Sequence, residues 1–185
     1  MKKLFPIPTT LRPTLSLTLF TLLILLCMKL SPQHQVQPAH AQAPGPAGLL
    51  PDPRLTPGAS DPAVTQANIH STICQYGYTR LVRPPFQVSN RLKHQVMDLY
   101  HVTGSIHDYE LDHLIPLELG GSPTSLHNLW PQSWTSPGAH EKDNIELYLH
   151  NRVCQGSMTL LDAQHAIATD WYAVYLSINH SQDRL

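Results

Sequence analysis

Apolar residues fall into three regimes along the chain. Behind Lys2, Lys3 and Arg12 they run uncharged from Pro13 to Met28. From Gln42 to Gln66 large apolar side chains are sparse among Pro, Ala and Gly. Beyond that point their spacing predicts elements. Ile73, Tyr76, Tyr78, Leu81 and Val82 alternate poorly, which reads as an irregular or short-strand stretch before Pro84-Pro85. Ser89 and Asn90 are helix-capping types, and Leu92, Val96, Leu99 and Tyr100 follow at helical spacing. They predict a helix over about 90–101, with Gly104 marking its end. YELDHLIPLEL (109–119) and Asn128-Leu129-Trp130, closed by Pro131, predict two strands joined by a wide loop through Gly120-Gly121. Ile145, Leu149 and Val153 mark a helix over 139–153, with Lys142 and Glu146 as an i,i+4 pair. Thr159 and Asp162 resemble a capping box for a last helix to about Ile178, with Ile167, Trp171, Val174 and Ile178 facing inward.

These regimes divide the chain into 1–41, a signal peptide or anchor; 42–66, a Pro/Ala-rich spacer; and 67–185, a globular domain. The first apolar run is shorter than the ~20 residues of a membrane span, and Ala39-His40-Ala41 offers a small-x-small cleavage site before Gln42. The spacer has too little apolar surface of its own to offset the entropy of ordering it. The expected location is secreted or extracytoplasmic, signal-anchored if cleavage fails. With Cys27 set aside, Cys74 and Cys154 are the cysteines of an exported domain and suggest a disulfide.

Charge counts against a tight duplex binder, since 67–185 carries four more acidic than basic side chains. Arg80, Arg83, Arg91 and Lys93 nevertheless cluster, and are candidates for contact with nucleic-acid phosphates or simply a solvated face. The chemistry concentrates at Asp112-His113, a polar pair in the apolar run Leu111 to Ile115 that needs partners if buried. In a straight strand the two would point to opposite faces.

The Asp112-His113-Leu114-Ile115-Pro116 run, Gly120-Gly121, Asn128-Leu129-Trp130 and the helix near Ala139 resemble the HNH (His-Me finger, ββα-metal) nuclease family over about 109–154. Gly77-Tyr78, Arg83-Pro84-Pro85, Glu110, Lys142-Asp143, Val153-Cys154 and Ala163-Gln164 extend the likeness to a group of small exported bacterial proteins. The resemblance implies an α+β domain, with a ββα-metal hairpin–helix core and flanking helices. It implies His113 as general base, Asn128 as the residue that orients the base or supports the loop, and Asp112 as ligand of one divalent metal ion. Mg2+ is the first choice of metal, with Mn2+ or Zn2+ as alternatives. His140 is the nearest side chain for the helical ligand, Asp143 could share that role, and Gly138 stands where an Asn is expected. The implied activity is endonucleolytic hydrolysis of phosphodiester bonds, with DNA ahead of RNA as substrate and the protein a monomer. The rival reading is a non-catalytic exported binding module that keeps the fold.

Overall fold

Pro84 and Pro85 separate two helices, where an irregular or short-strand stretch was expected before them. In this computed structural model, which describes the backbone of residues 48–182 and the side chains of 48–179, α1 is Tyr78–Val82 and α2 is Phe86–Leu99. The 1–41 segment, with its signal or anchor, lies outside the described residues. A single turn and a half is too short to display a period, which is why α1 escaped the pattern. The second helix begins earlier than predicted because Pro85 occupies its N-cap at φ −56, ψ 152. There a missing N–H costs nothing, since the first helical amides have no intrahelical partner. Leu92 and Val96 are buried as expected, with Met97 beside them. The helix closes before Gly104: His101 takes a positive φ of 53, its amide reaches Asp98 O, and Val102 N donates to Met97 O. That is the paired bonding of a Schellman end, made here without glycine.

The sheet is one antiparallel pair, β1 (Tyr109–His113) with β2 (Leu129–Ser133). The first strand stops at His113, and Leu117–Leu119 forms a 3-10 turn instead of continuing it. The second runs through Pro131, which pairs with Leu111 and is tolerated because both strands of a two-stranded sheet are edges. Register sets Asp112 opposite Trp130 and Glu110 opposite Gln132, on one face. Helix α3 (Ala139–Cys154) follows the hairpin, and α4 (Leu160–Gln182) packs on it. The architecture is α+β. The main core joins Ile145, Leu149 and Val153 of α3 to Leu160, Ala163, Ile167 and Trp171 of α4. The predicted cap of α4 is present, with Thr159 Oγ1 accepting from Asp162 N at 3.1 Å. The helix kinks at Asp170 (φ −163, ψ 87), whose carboxylate accepts from Ala173 N and so caps the second half. Val174 and Ile178 are only partly buried against the core.

Residues 48–66 correct the spacer reading: they belong to the same compact unit as the domain. Thr56 is fully buried, donates to Leu129 O at 3.0 Å and accepts from Tyr100 OH at 2.7 Å. Gly58 N bonds His127 O, Asp61 N bonds Gly120 O, and Ser60 bridges Gly121. Val64 enters the main core, and Trp171 Nε1 donates to Leu49 O at 2.7 Å. The segment has few apolar side chains of its own. It orders because its backbone groups are satisfied by the 115–129 loop, a contribution that composition does not register.

Cys74 and Cys154 form the expected disulfide, with Cα atoms 5.6 Å apart. The bond is compatible with an extracytoplasmic protein. Among the described residues no helix is long and apolar enough to cross a membrane.

Two outcomes follow for stability. Reduction should lower the melting temperature, because the closed loop of separation 80 restricts the unfolded chain by about 4–5 kcal/mol in the entropy model. An unchanged melting curve, with both thiols shown free, would contradict this. Gly120→Ala should also destabilise, since φ is +71 there and a Cβ would lie 2.7 Å from Val64 Cγ1. Urea denaturation of the Gly120→Ala, Val64→Ala cycle should give a coupling of about 0.5–3 kcal/mol. Strict additivity would mean that 48–66 does not dock on the loop.

Candidate active site

The site is assembled around a lysine. Helix α3 starts hard against the end of β2: a Cβ on Gly138 would lie 2.4 Å from Ser133 O and 2.5 Å from Thr135 O. Gly138 is therefore required by close backbone approach, and an Asn at that position has no room. Glu141 reaches back to accept from Gly138 N at 2.7 Å, and Ser136 Oγ donates to the same carboxylate at 2.7 Å. This arrangement brings Lys142 under the hairpin.

Lys142 is fully buried. Its Nζ lies 2.9 Å from Asp112 Oδ2, 2.6 Å from Glu146 Oε1 and 2.8 Å from His113 O. Three acceptors match the three protons of an ammonium group. Burial alone would push its pKa down, but Asp112 and Glu146 outweigh that and hold it above the usual lysine value. Trp130 Nε1 donates to the same Asp112 Oδ2 at 2.8 Å, across the register pair. Asp112, 6% exposed, is thus partnered on one oxygen by an indole and an ammonium.

Beyond this cluster lies a cavity of about 50 Å3 whose wall includes Arg83, Glu110, Asp112, His113, Asp143 and Glu146. His113, the last residue of β1, meets the same cavity as Asp112 because the strand ends there and the chain bends at Leu114. Its Nε2 is 3.1 Å from Pro123 O. A carbonyl only accepts, so Nε2 carries the proton and Nδ1 keeps the lone pair. Burial lowers the His113 pKa, against the opposing pull of Pro123 O and Asp112, and favours the neutral ring. Glu110 is pushed up to about 7 by burial and then by Asp112 and Asp143, and its Oε2 is buried without a hydrogen-bond partner. Asp143 is raised by burial and by Asp112.

Asn128 is fully buried and works on the loop. It accepts from Ile115 N at 2.9 Å and donates to Ile115 O at 2.9 Å and Ser122 O at 3.1 Å. It fixes the segment between His113 and Pro123, and so acts as a positioning residue. His140 is not brought to the cavity. It is exposed, with its ring centroid 4.9 Å from that of Trp134. Of the four basic candidates Arg83 lines the cavity, whereas Arg80 and Arg91 are exposed on α1 and α2 and Lys93 is half-buried.

Sequence spacing marks Lys142 and Glu146 as a helix pair, and the family likeness includes Lys142 and Glu110, but neither assigns them a role in the site. The apolar stripe Ile145, Leu149, Val153, continued back by three residues, lands on Lys142, and Glu110 shares a strand face with Asp112.

Among the described residues, one group of three His, Cys, Asp or Glu side chains has ligand atoms within 4.8 Å of one another: Cys74, His150 and Cys154. It could hold a metal ion once reduced, but sulfurs joined in a disulfide carry no thiolate. Compared with known proteins, the chain matches no family model, no curated protein and no solved structure. The HNH likeness therefore rests on the motif residues themselves.

Lys142→Met tests the cluster. It would leave Asp112 and Glu146 buried without their counter-charge and should destabilise by about 3–5 kcal/mol in urea denaturation. Adding Asp112→Asn and Glu146→Gln should recover part of the loss. A cost below about 1 kcal/mol would show the ammonium to be dispensable to the fold.

Proposed function

We propose that the chain is an exported, metal-dependent endonuclease of the HNH type, acting on DNA in preference to RNA. The observation that carries the reading is that His113, Arg83 and the four carboxylates Glu110, Asp112, Asp143 and Glu146 line one small polar cavity, with Nε2 of the ring held by Pro123 O. The order β1, β2, α3 is the order that the family likeness implies, and supports the reading.

The cavity wall suits a hard divalent cation such as Mg2+ better than Zn2+. Its carboxylates, Glu110, Asp112 and Asp143, have the oxygen chemistry of such an ion, and their ligand atoms, which do not all lie within 4.8 Å of one another, would draw together on it. Glu110 Oε2, buried and unpartnered, is an oxygen that a cation would satisfy. In this assignment Glu110 replaces His140 in the expected ligand set. Such an ion, when bound, neutralises phosphate charge and stabilises the leaving oxygen. His113 Nδ1 takes the proton of the attacking water, the part suited to a neutral imidazole. Arg83 meets the phosphate with a planar set of donors. Lys142 ties Asp112 to the His113 carbonyl and keeps the end of β1 in register with the helix. The remaining basic side chains, Arg80, Arg91 and Lys93, are then outer phosphate contacts.

One observation favours the rival, a non-catalytic binding module: Lys142 Nζ already places a cation against Asp112 Oδ2. Divalent-ion titration by calorimetry separates the two, since only the nuclease reading requires an ion at Asp112.

Plasmid nicking by the full chain should appear with Mg2+ and vanish with chelator. His113→Ala should lower the rate by about 10²–10⁴ while leaving metal affinity nearly intact. Asp112→Asn should weaken metal binding, with partial rescue by excess ion. Full activity in His113→Ala, or no nicking by pure protein with Mg2+, Mn2+ or Zn2+, would overturn the proposal.

A further inference from the structure

Where Cys74 meets α3, three side chains with soft or borderline donor atoms come together. The Sγ atoms of Cys74 and Cys154 and a ring nitrogen of His150 lie within 4.8 Å of one another, and all three residues are half-buried. His150 and Cys154 are an i,i+4 pair on α3 and so share a helix face. His150 Nε2 sits 3.4 Å from Cys154 Sγ and 3.0 Å from Ile73 O. Its Nδ1 is buried without a hydrogen-bond partner among the described residues. A disulfide needs only its two sulfurs, and an imidazole against one of them adds nothing to that bond.

The grouping does not depend on the sulfurs being joined. Ile73 and Val153, each next to one of the cysteines in sequence, are 2% and 0% exposed and belong to the main core. The His150–Ile73 O bond crosses the same contact. The chain as synthesised carries two thiols, and this packing holds them beside the ring. In a tetrahedral zinc site, bonds of about 2.0 Å to nitrogen and 2.3 Å to sulfur give an N···S edge of about 3.5 Å. The observed 3.4 Å between His150 Nε2 and Cys154 Sγ is close to that edge.

We infer that Cys74, His150 and Cys154 are a Zn2+ site of the reduced chain, which formation of the disulfide closes. Two thiolates and an imidazole favour Zn2+ over Mg2+, and water takes the fourth position. As the ion binds, each S–H bond gives way to an S–Zn bond and its proton goes to solvent. The ring proton passes from Nε2 to Nδ1, which no other group occupies. The ion ties the Ile73–Cys74 segment to α3 as the disulfide does, so the same two elements are joined in either redox state. The site is separate from the carboxylate cavity and does not rest on the nuclease reading.

Equilibrium dialysis of the full chain against Zn2+, before and after reduction by a phosphine, tests the inference. The phosphine breaks the S–S bond and ends as its oxide, with water supplying that oxygen and the two thiol protons. It brings no thiolate of its own. The reduced chain should retain one Zn2+ more than the oxidised chain, and Co2+ in its place should give thiolate charge-transfer absorption. Zinc should also restore part of the melting temperature lost on reduction. His150→Ala keeps both cysteines, so its fold and disulfide can be verified in the oxidised form. Once reduced, it should bind Zn2+ more than about tenfold less tightly, since losing a group that only hydrogen-bonds a ligand already costs about 10–100-fold. No extra zinc on the reduced chain, folded or not, would overturn the inference. So would equal affinity in reduced His150→Ala, the mark of a bare pair of thiols chelating the ion.

Discussion

One ammonium group, taken wholly out of water, governs how the hairpin and the following helix meet. Removing Lys142 from solvent is costly, and the cost is recovered only if every proton finds an oxygen at short range. The three oxygens come from three places: the Asp112 side chain, the end-of-strand carbonyl of His113, and Glu146 one turn along α3. Shift the helix by a residue, or slip the strand register by one, and at least one bond is lost. The cluster therefore specifies an arrangement as well as stabilising it. The same bonds hold the end of β1 where His113 must turn toward the cavity.

Around that anchor the loop from Leu114 to Asn128 is secured by side-chain amide bonds in place of a strand ladder. Asn128 reproduces with its carboxamide the pairing that another backbone would give, and the 48–66 segment closes the outer edge. The loop holds Pro123, and Pro123 O holds the His113 ring. Orientation of the His113 ring is thus set through a buried amide that never touches it.

The hairpin, α3 and α4 were legible because each has a repeating apolar face. The Asp112–His113 pair stood out as polarity inside an apolar run. Other parts were hidden for physical reasons. His140 has the residue type of a ligand, but it lies two residues before Lys142, about 200° around the helix, and so does not reach the cavity that Lys142 underlies. Lys142 occupies the apolar stripe itself, where a charged residue is discounted until its partners on another element are known. The side chains of 48–66 carry little sign of order, because its order comes from main-chain bonds. Gly138 resembled a lost ligand, and only the backbone oxygens around it show why no larger residue fits.

The disulfide has a topological consequence. Arg83, Glu110, Asp112, His113, Asn128, Lys142, Asp143 and Glu146 all lie within the covalent ring closed by Cys74 and Cys154. A single peptide-bond cut between those cysteines opens the ring without releasing a fragment, so the two halves of the site stay tethered and free to re-dock. The 48–66 strap lies outside the ring, held to the loop by hydrogen bonds and packing alone. Under proteolysis the cavity-lining groups stay bound in one molecule after a first nick, whereas a cut just after the strap frees it to leave.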